Sequence, residues 1–117
     1  LYRLMALQGA KCIFCPAAFN WTTGPMHWEL LFRARAVDNQ IFLVGCSPAQ
    51  SEGPYIAYGH SLAVSPWGTV LVQAEEGPSV TMVDLDLTET EVVRQQLPLL
   101  SARRTDLYEL KEIGDRL

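Results

Sequence analysis

An α/β fold is predicted by three features of this sequence. Two short apolar runs, Lys11-Cys12-Ile13-Phe14-Cys15 and Ile41-Phe42-Leu43-Val44-Gly45-Cys46, flank a helical segment ending near Asn39. Both runs are continuously rather than alternately hydrophobic, as parallel strands covered on both faces are. Strand-like stretches punctuated by turn residues follow, from His60 to Leu85. A strand–helix–strand unit with short links requires a right-handed crossover, and helices layered on mixed strands define the class.

Each element has a local cause. Leu1, Leu4, Met5 and Gln8 recur at helical spacing, and Gly9 stops that helix as a residue just past a C-terminus does. No capping residue precedes Leu1, so the helix reads as one entered mid-stride and the chain as a fragment. Pro16 closes the first strand, and residues 17–26 form a polar, turn-rich loop. Gly24-Pro25 opens the long helix, because proline is already set for a first helical turn. Residues 48–59 form a long loop. The strands His60–Ser65 and Thr69–Gln73 are joined at Pro66-Trp67-Gly68, where proline suits the first corner and Gly68 can take a left-handed bulge position. Glu75-Glu76-Gly77-Pro78 turns into a strand over Ser79–Leu85. Thr88-Glu89-Thr90-Glu91 has the form of a capping box and opens a helix ending near Pro98. The tail from Leu99 to Leu117 is charged and mixed, with little regular structure expected.

The helix from His27 to Asn39 carries two apolar stripes. At 100° per residue, Trp28, Leu31, Phe32 and Ala36 share one side, and Leu30, Ala34 and Val37 share nearly the opposite one. Glu29 and Arg33, four apart, form a favourable pair between them. A surface helix needs one apolar stripe, so the second is expected to meet a subunit partner or, alternatively, another part of the same chain. Arg35 lies inside the first stripe, where an unpaired charge is costly, and must have a partner.

Composition narrows the function. The chain has 117 residues, 49% hydrophobic and 19% charged, with net charge −4, which fits one domain with its own core. An acidic balance gives no basic patch for nucleic acid. No apolar run reaches the length that spans a bilayer, so no membrane partner is expected. Three cysteines make no disulfide framework and read as reduced thiols of a cytoplasmic protein, with the mitochondrion as the alternative compartment.

The stretch Phe14-Cys15-Pro16-Ala17-Ala18-Phe19-Asn20-Trp21-Thr22-Thr23-Gly24-Pro25-Met26-His27-Trp28-Glu29-Leu30-Leu31, with Arg33-Ala34-Arg35-Ala36-Val37-Asp38-Asn39-Gln40, resembles the nitrilase superfamily. Its omega-amidase (Nit protein) branch is the closest. Tyr58-Gly59-His60-Ser61, Pro66-Trp67-Gly68-Thr69-Val70-Leu71, Arg94-Gln95-Gln96-Leu97-Pro98 and Arg104-Thr105-Asp106-Leu107-Tyr108 follow in the family's order. The resemblance implies part of an α-β-β-α sandwich, truncated at its N-terminus, with residues 1–117 as the C-terminal portion of one carbon–nitrogen hydrolase domain. It implies hydrolysis of small monoamides of dicarboxylic acids through a Cys acyl-enzyme, with a Glu base and a Lys beside the tetrahedral intermediate. No cofactor and no metal are implied. None of those catalytic residues maps onto this chain, so the isolated fragment is expected to be inactive. What maps is pocket wall: Phe19 and Asn20, just beyond a strand's carboxyl end, with Thr22, Thr23 and Trp28 as further substrate-binding candidates. A homodimer or larger homo-oligomer meeting through outer helices is also implied.

Rival sites are weaker. Cys12 and Cys15 have zinc-like spacing, but no second pair follows. Cys15 with His27, or Cys46 with His60, could form a dyad, yet only closeness in sequence recommends either. His60, at a strand start, reads as a structural residue, and Asp84 and Asp86 as a solvated edge. The competing function class is a non-catalytic interaction or scaffold domain derived from the same fold.

Overall fold

The structure, a computed structural model, describes residues 1–49 and 53–114. Its elements in order are α1 (Tyr2–Leu7), β1 (Cys12–Pro16), α2 (Gly24–Asn39), β2 (Phe42–Cys46), β3 (Leu62–Val64), β4 (Val70–Gln73) and α3 (Glu89–Gln96). The four strands make one sheet in the order β1-β2-β3-β4. β1 and β2 are parallel, with Ile13 opposite Leu43, and the other pairs are antiparallel. The strand–helix–strand unit and the turn at Pro66-Trp67-Gly68 form as the sequence predicts. Gly68 is left-handed at φ +80°, its N–H donates to the Ser65 carbonyl, and the ladder shifts register at Ala63/Val64.

The main core lies on one face of this sheet. Successive strand residues point to opposite faces, which turns Ile13, Leu43, Leu62 and Val64 toward Trp28, Phe32 and Ala36 of α2. Those three helical residues are 0–2% exposed. A Cβ on Gly45 would sit 2.7 Å from the Phe32 ring, so a glycine there lets the ring rest directly on β2. The second stripe has the opposite fate: Leu30 is 63% exposed and Val37 37%. Glu29 and Arg33 pair at 3.2 Å. Arg35 does find a partner, an aromatic one. Its guanidinium lies 4.8 Å from the Tyr2 ring centroid, with Nη1 3.4 Å from the Tyr2 hydroxyl. The same hydroxyl contacts Cys15 Sγ at 3.1 Å, and burial is the main reason its pKa is raised.

The sheet's other face is also apolar but covered by much less. Phe14 is 68% exposed there, and Cys46 is exposed at the carboxyl end of β2. Val44, Ala63 and Val72 floor a cleft of about 320 Å³, roofed by Ser79, Thr81 and Val83. The expected strand Ser79–Leu85 is not formed. The segment runs without a ladder, leaving Val80 95% and Met82 91% exposed. A strand needs a neighbour to hydrogen-bond, and among the described residues this one has none. The strand expected from His60 is shorter, Leu62–Val64, because Gly59 and His60 both take positive φ.

α3 closes the amino end of the sheet, with Thr90 and Val93 buried and Lys11 paired with Glu91 at 2.5 Å. The expected capping box is replaced: Thr88 makes no side-chain cap. Instead, the Asp86 carboxylate accepts from Thr88 N–H at 3.0 Å and Thr88 Oγ1 at 2.6 Å, which lowers its pKa. Glu91, the box's other half, is drawn to Lys11, and that hydrogen bond lowers its pKa too. Asp84 and Asp86 are therefore no carboxylate pair, since Asp86 serves the helix start.

Candidate substrate-binding site

The carboxyl ends of β1 and β2 lead into the loops that carry the predicted residues. After Pro16 the chain crosses residues 17–23 to α2, and the backbone of residues 55–60 lies against this crossing. Tyr58 N–H donates to the Phe19 carbonyl at 2.7 Å, Asn20 and Ala57 form a β-bridge, and the Tyr55 hydroxyl donates to the Ala18 carbonyl at 2.8 Å. The loop is thus held along its length.

Asn20 organises the turn into α2. Its Oδ1 accepts from Thr22 N–H and Thr23 N–H, both at 3.0 Å, and from Thr23 Oγ1 at 3.1 Å. Its main-chain carbonyl accepts from Gly24 N–H at 2.7 Å. Short amide side chains commonly satisfy backbone N–H groups ahead of a helix in this way. These bonds fix which end of the amide is oxygen, and the Nδ2 end makes no hydrogen bond to the described residues. An exposed, oriented amide donor remains.

The structure brings Phe19, Asn20, Thr22, Thr23 and Trp28 together at this junction. Phe19 is half-buried, its ring edge-on to Trp28 with centroids 5.2 Å apart. Asn20 and Thr22 are exposed and Thr23 half-buried. Trp28 is 1% exposed, and its indole N–H donates to the His60 carbonyl at 2.7 Å. That donor is occupied, so Trp28 supports Phe19 from behind.

Three further residues border this loop, Trp21, Tyr58 and His60, of which the sequence marks only His60, and as a dyad candidate. Trp21 packs edge-on against Tyr58, centroids 5.2 Å apart, and Tyr58 stacks on His60 at 3.9 Å. Tyr58 and His60 stand in the Tyr58-Gly59-His60-Ser61 motif and Trp21 in the Phe14–Leu31 stretch, but only the fold shows that the two meet. Neither Cys15–His27 nor Cys46–His60 forms a hydrogen bond, although Cys46 and His60 line the same cleft. Cys12 is half-buried with its thiol pKa raised by burial, and Cys15 contacts Tyr2. Among the described residues no thiol has a His, Glu or Lys hydrogen-bond partner, and no group of three or more His, Cys, Asp or Glu could hold a metal ion. No helix among them is long and apolar enough to cross a membrane.

A parallel strand–helix–strand unit with a loop beyond its strand ends is an α/β scaffold, and proteins of that class commonly bind ligands at such strand ends. The family model for carbon–nitrogen hydrolases matches residues 1–95, and the chain belongs to that family. It is 46% identical over 112 residues to the omega-amidase NIT2 of Bos taurus, covering 95% of this chain and 41% of that protein. Against omega-amidase NIT2 of Danio rerio, identity is 46% over 116 residues, covering 98% of this chain and 42% of the relative. The crystal structure of Saccharomyces cerevisiae Nit3, a member of branch 10 of the nitrilase superfamily, superposes with a TM-score of 0.83 at 45% identity. That match covers 88% of this chain and 38% of Nit3. An amidase from Nesterenkonia sp. AN1, solved with an acetamide moiety added covalently at its active site cysteine, aligns at a TM-score of 0.69 and 29% identity. It covers 91% of this chain and 36% of that one. The fold is therefore nitrilase-like, present here in part, and the chain spans about two fifths of the length of these relatives.

Proposed function

We propose that this chain is part of an amidase that hydrolyses the C–N bond of dicarboxylic acid monoamides. Its Cys nucleophile, Glu base and Lys lie on a longer chain, the full-length enzyme. Kinship with proteins named omega-amidases supports the reaction class. Among the described residues no thiol is hydrogen-bonded to a base, which fits a nucleophile supplied from elsewhere in that enzyme. The chemistry is then covalent: thiolate attack on the amide carbonyl, loss of ammonia or amine, and hydrolysis of the acyl-enzyme by water.

The observation that carries the substrate class is Asn20. Three local donors pin its oxygen, which presents the amide N–H₂ outward just beyond the carboxyl end of β1. A fixed neutral donor suits a carboxylate acceptor, and such a bond contributes about 1–3 kcal/mol. In this reading the substrate's free acid end rests against Asn20 and Thr23 while its amide end reaches the nucleophile. Asn20→Leu in the full-length enzyme is expected to raise KM for succinamate about tenfold or more and KM for a neutral amide far less. Steady-state kinetics on both substrates test this, and equal effects on the two would remove Asn20 from substrate recognition.

We also propose that the full-length enzyme is a homo-oligomer with the outward stripe of α2 in its interface. Met26, Leu30 and Trp67 are 69%, 63% and 49% exposed around the groove that Ala34 and Val37 line. Glu29, Arg33 and Asp38 line the same groove, and exposed apolar side chains rimmed by charges in this way suit a protein–protein contact.

A further inference from the structure

The geometry points to His60 as a positioning residue that sets the Phe19–Thr23 loop, and through it the acid end of the substrate. This inference rests on the reading of that loop given under the proposed function. It starts from the backbone. His60 has φ +59°, directly after Gly59 at φ +75°. Glycine takes that conformation freely, but a histidine there is strained, and strain of this kind persists only where the surroundings enforce it. The strand does not require it. β3 begins only at Leu62, and Ser61 already anchors the approach, its carbonyl accepting from Ala74 N–H at 2.7 Å and its Oγ from Ser47 N–H at 2.9 Å.

What the left-handed pair achieves is a reversal that sends both ends of His60 toward the loop. The carbonyl accepts from the Trp28 indole N–H at 2.7 Å. The imidazole folds back over Tyr58, rings 14° from parallel, with Nδ1 2.6 Å from the Tyr58 carbonyl. A carbonyl only accepts, so Nδ1 carries the proton. Tyr58 passes the constraint on: its N–H holds the Phe19 carbonyl and its ring meets the Trp21 edge. That ring also lies where a Cβ on Gly24 would be, 2.2 Å from Tyr58 Cγ. A side chain larger than hydrogen at Gly24 would push Tyr58 off the start of α2. His60, Tyr58 and Trp21 thus form one clamp on the backbone that aims Asn20, and none of the three need touch the substrate.

Kinetics of the full-length enzyme test this with succinamate and butanamide, which differ in the acid group. His60→Gly keeps the backbone conformation and deletes the ring. It is expected to raise KM for succinamate about tenfold, as loss of one aligned hydrogen bond would, with kcat and the butanamide KM within about twofold. His60→Asn, tolerant of positive φ and able to donate to the Tyr58 carbonyl, is expected to recover much of the loss. A fall in kcat at unchanged KM would overturn the inference, as would equal KM increases for both substrates, or no change. If His60→Gly does not fold by circular dichroism, Tyr58→Leu carries the same test with the His60 backbone untouched. Asn20→Leu separates the two readings. If it fails to discriminate the substrates, the substrate assignment falls. If it discriminates and His60→Gly does not, only the clamp falls.

Discussion

Trp28→Ala is expected to lower the unfolding free energy by about 3–5 kcal/mol, the usual cost of emptying a buried aromatic site. Trp28 is among the largest fully buried side chains and stands where the core meets the site. Its ring contacts Phe32 at a centroid distance of 4.6 Å and Phe19 at 5.2 Å, and its N–H serves the His60 carbonyl. Alanine would leave a cavity between α2 and β2 with aromatic walls that cannot collapse freely, since Gly45 offers no side chain to fill it. It would also free the His60 carbonyl. Trp28→Phe separates these effects: most of the packing is kept, and losing the hydrogen bond should cost about 1 kcal/mol. Urea unfolding followed by circular dichroism measures both. A loss below about 1 kcal/mol for the alanine variant would mean that Trp28 does not hold α2 to the sheet.

The second large effect is expected at the opposite stripe of the same helix. Ala34→Glu should weaken self-association of the full-length enzyme by at least about a hundredfold, because a carboxylate buried without a partner costs about 3 kcal/mol or more. Ala34 sits between Leu30 and Val37 on a side with no central charge, and a small residue permits close approach of a second helix. In a two-fold arrangement the same patch serves both partners, which doubles the effect of one substitution. Light scattering should show a shift toward monomer, with circular dichroism unchanged. A parent that is already monomeric would contradict the interface, as would a variant that unfolds without first dissociating.

Elements whose cause is local were legible in the sequence. α2 was marked by Gly24-Pro25 at its start and by its stripes, and the burial split between Trp28/Phe32/Ala36 and Leu30/Ala34/Val37 follows those stripes. β1 and β2 were legible as continuous apolar runs, and the turn at Gly68 by its residue types. Elements whose cause is distant were not. Residues 79–85 have the composition of a strand, but a strand depends on a neighbour that sequence pattern does not specify. The capping box at Thr88 was a fair local reading that two competitors displaced, Asp86 from upstream and Lys11 from across the fold. That Arg35 needs a partner follows from its place in an apolar stripe. That the partner is the Tyr2 ring is a tertiary fact. The site divides in the same way: Phe19 and Asn20 stood in a recognisable motif, whereas the Tyr58–His60 stack depends on two consecutive left-handed residues.

In the proposed function these residues form the pocket wall and scaffold of an amidase whose nucleophile lies elsewhere in the full-length enzyme. Ammonia release from 2-oxoglutaramate and succinamate, measured for the full-length enzyme and for the isolated 117-residue chain at high concentration, tests it most directly. The expected result is release by the full-length enzyme and none above background by the isolated chain. Release by the isolated chain that disappears on Cys15→Ser or Cys46→Ser would contradict the claim by placing the nucleophile here, and an inactive full-length protein would favour a scaffold domain over an enzyme.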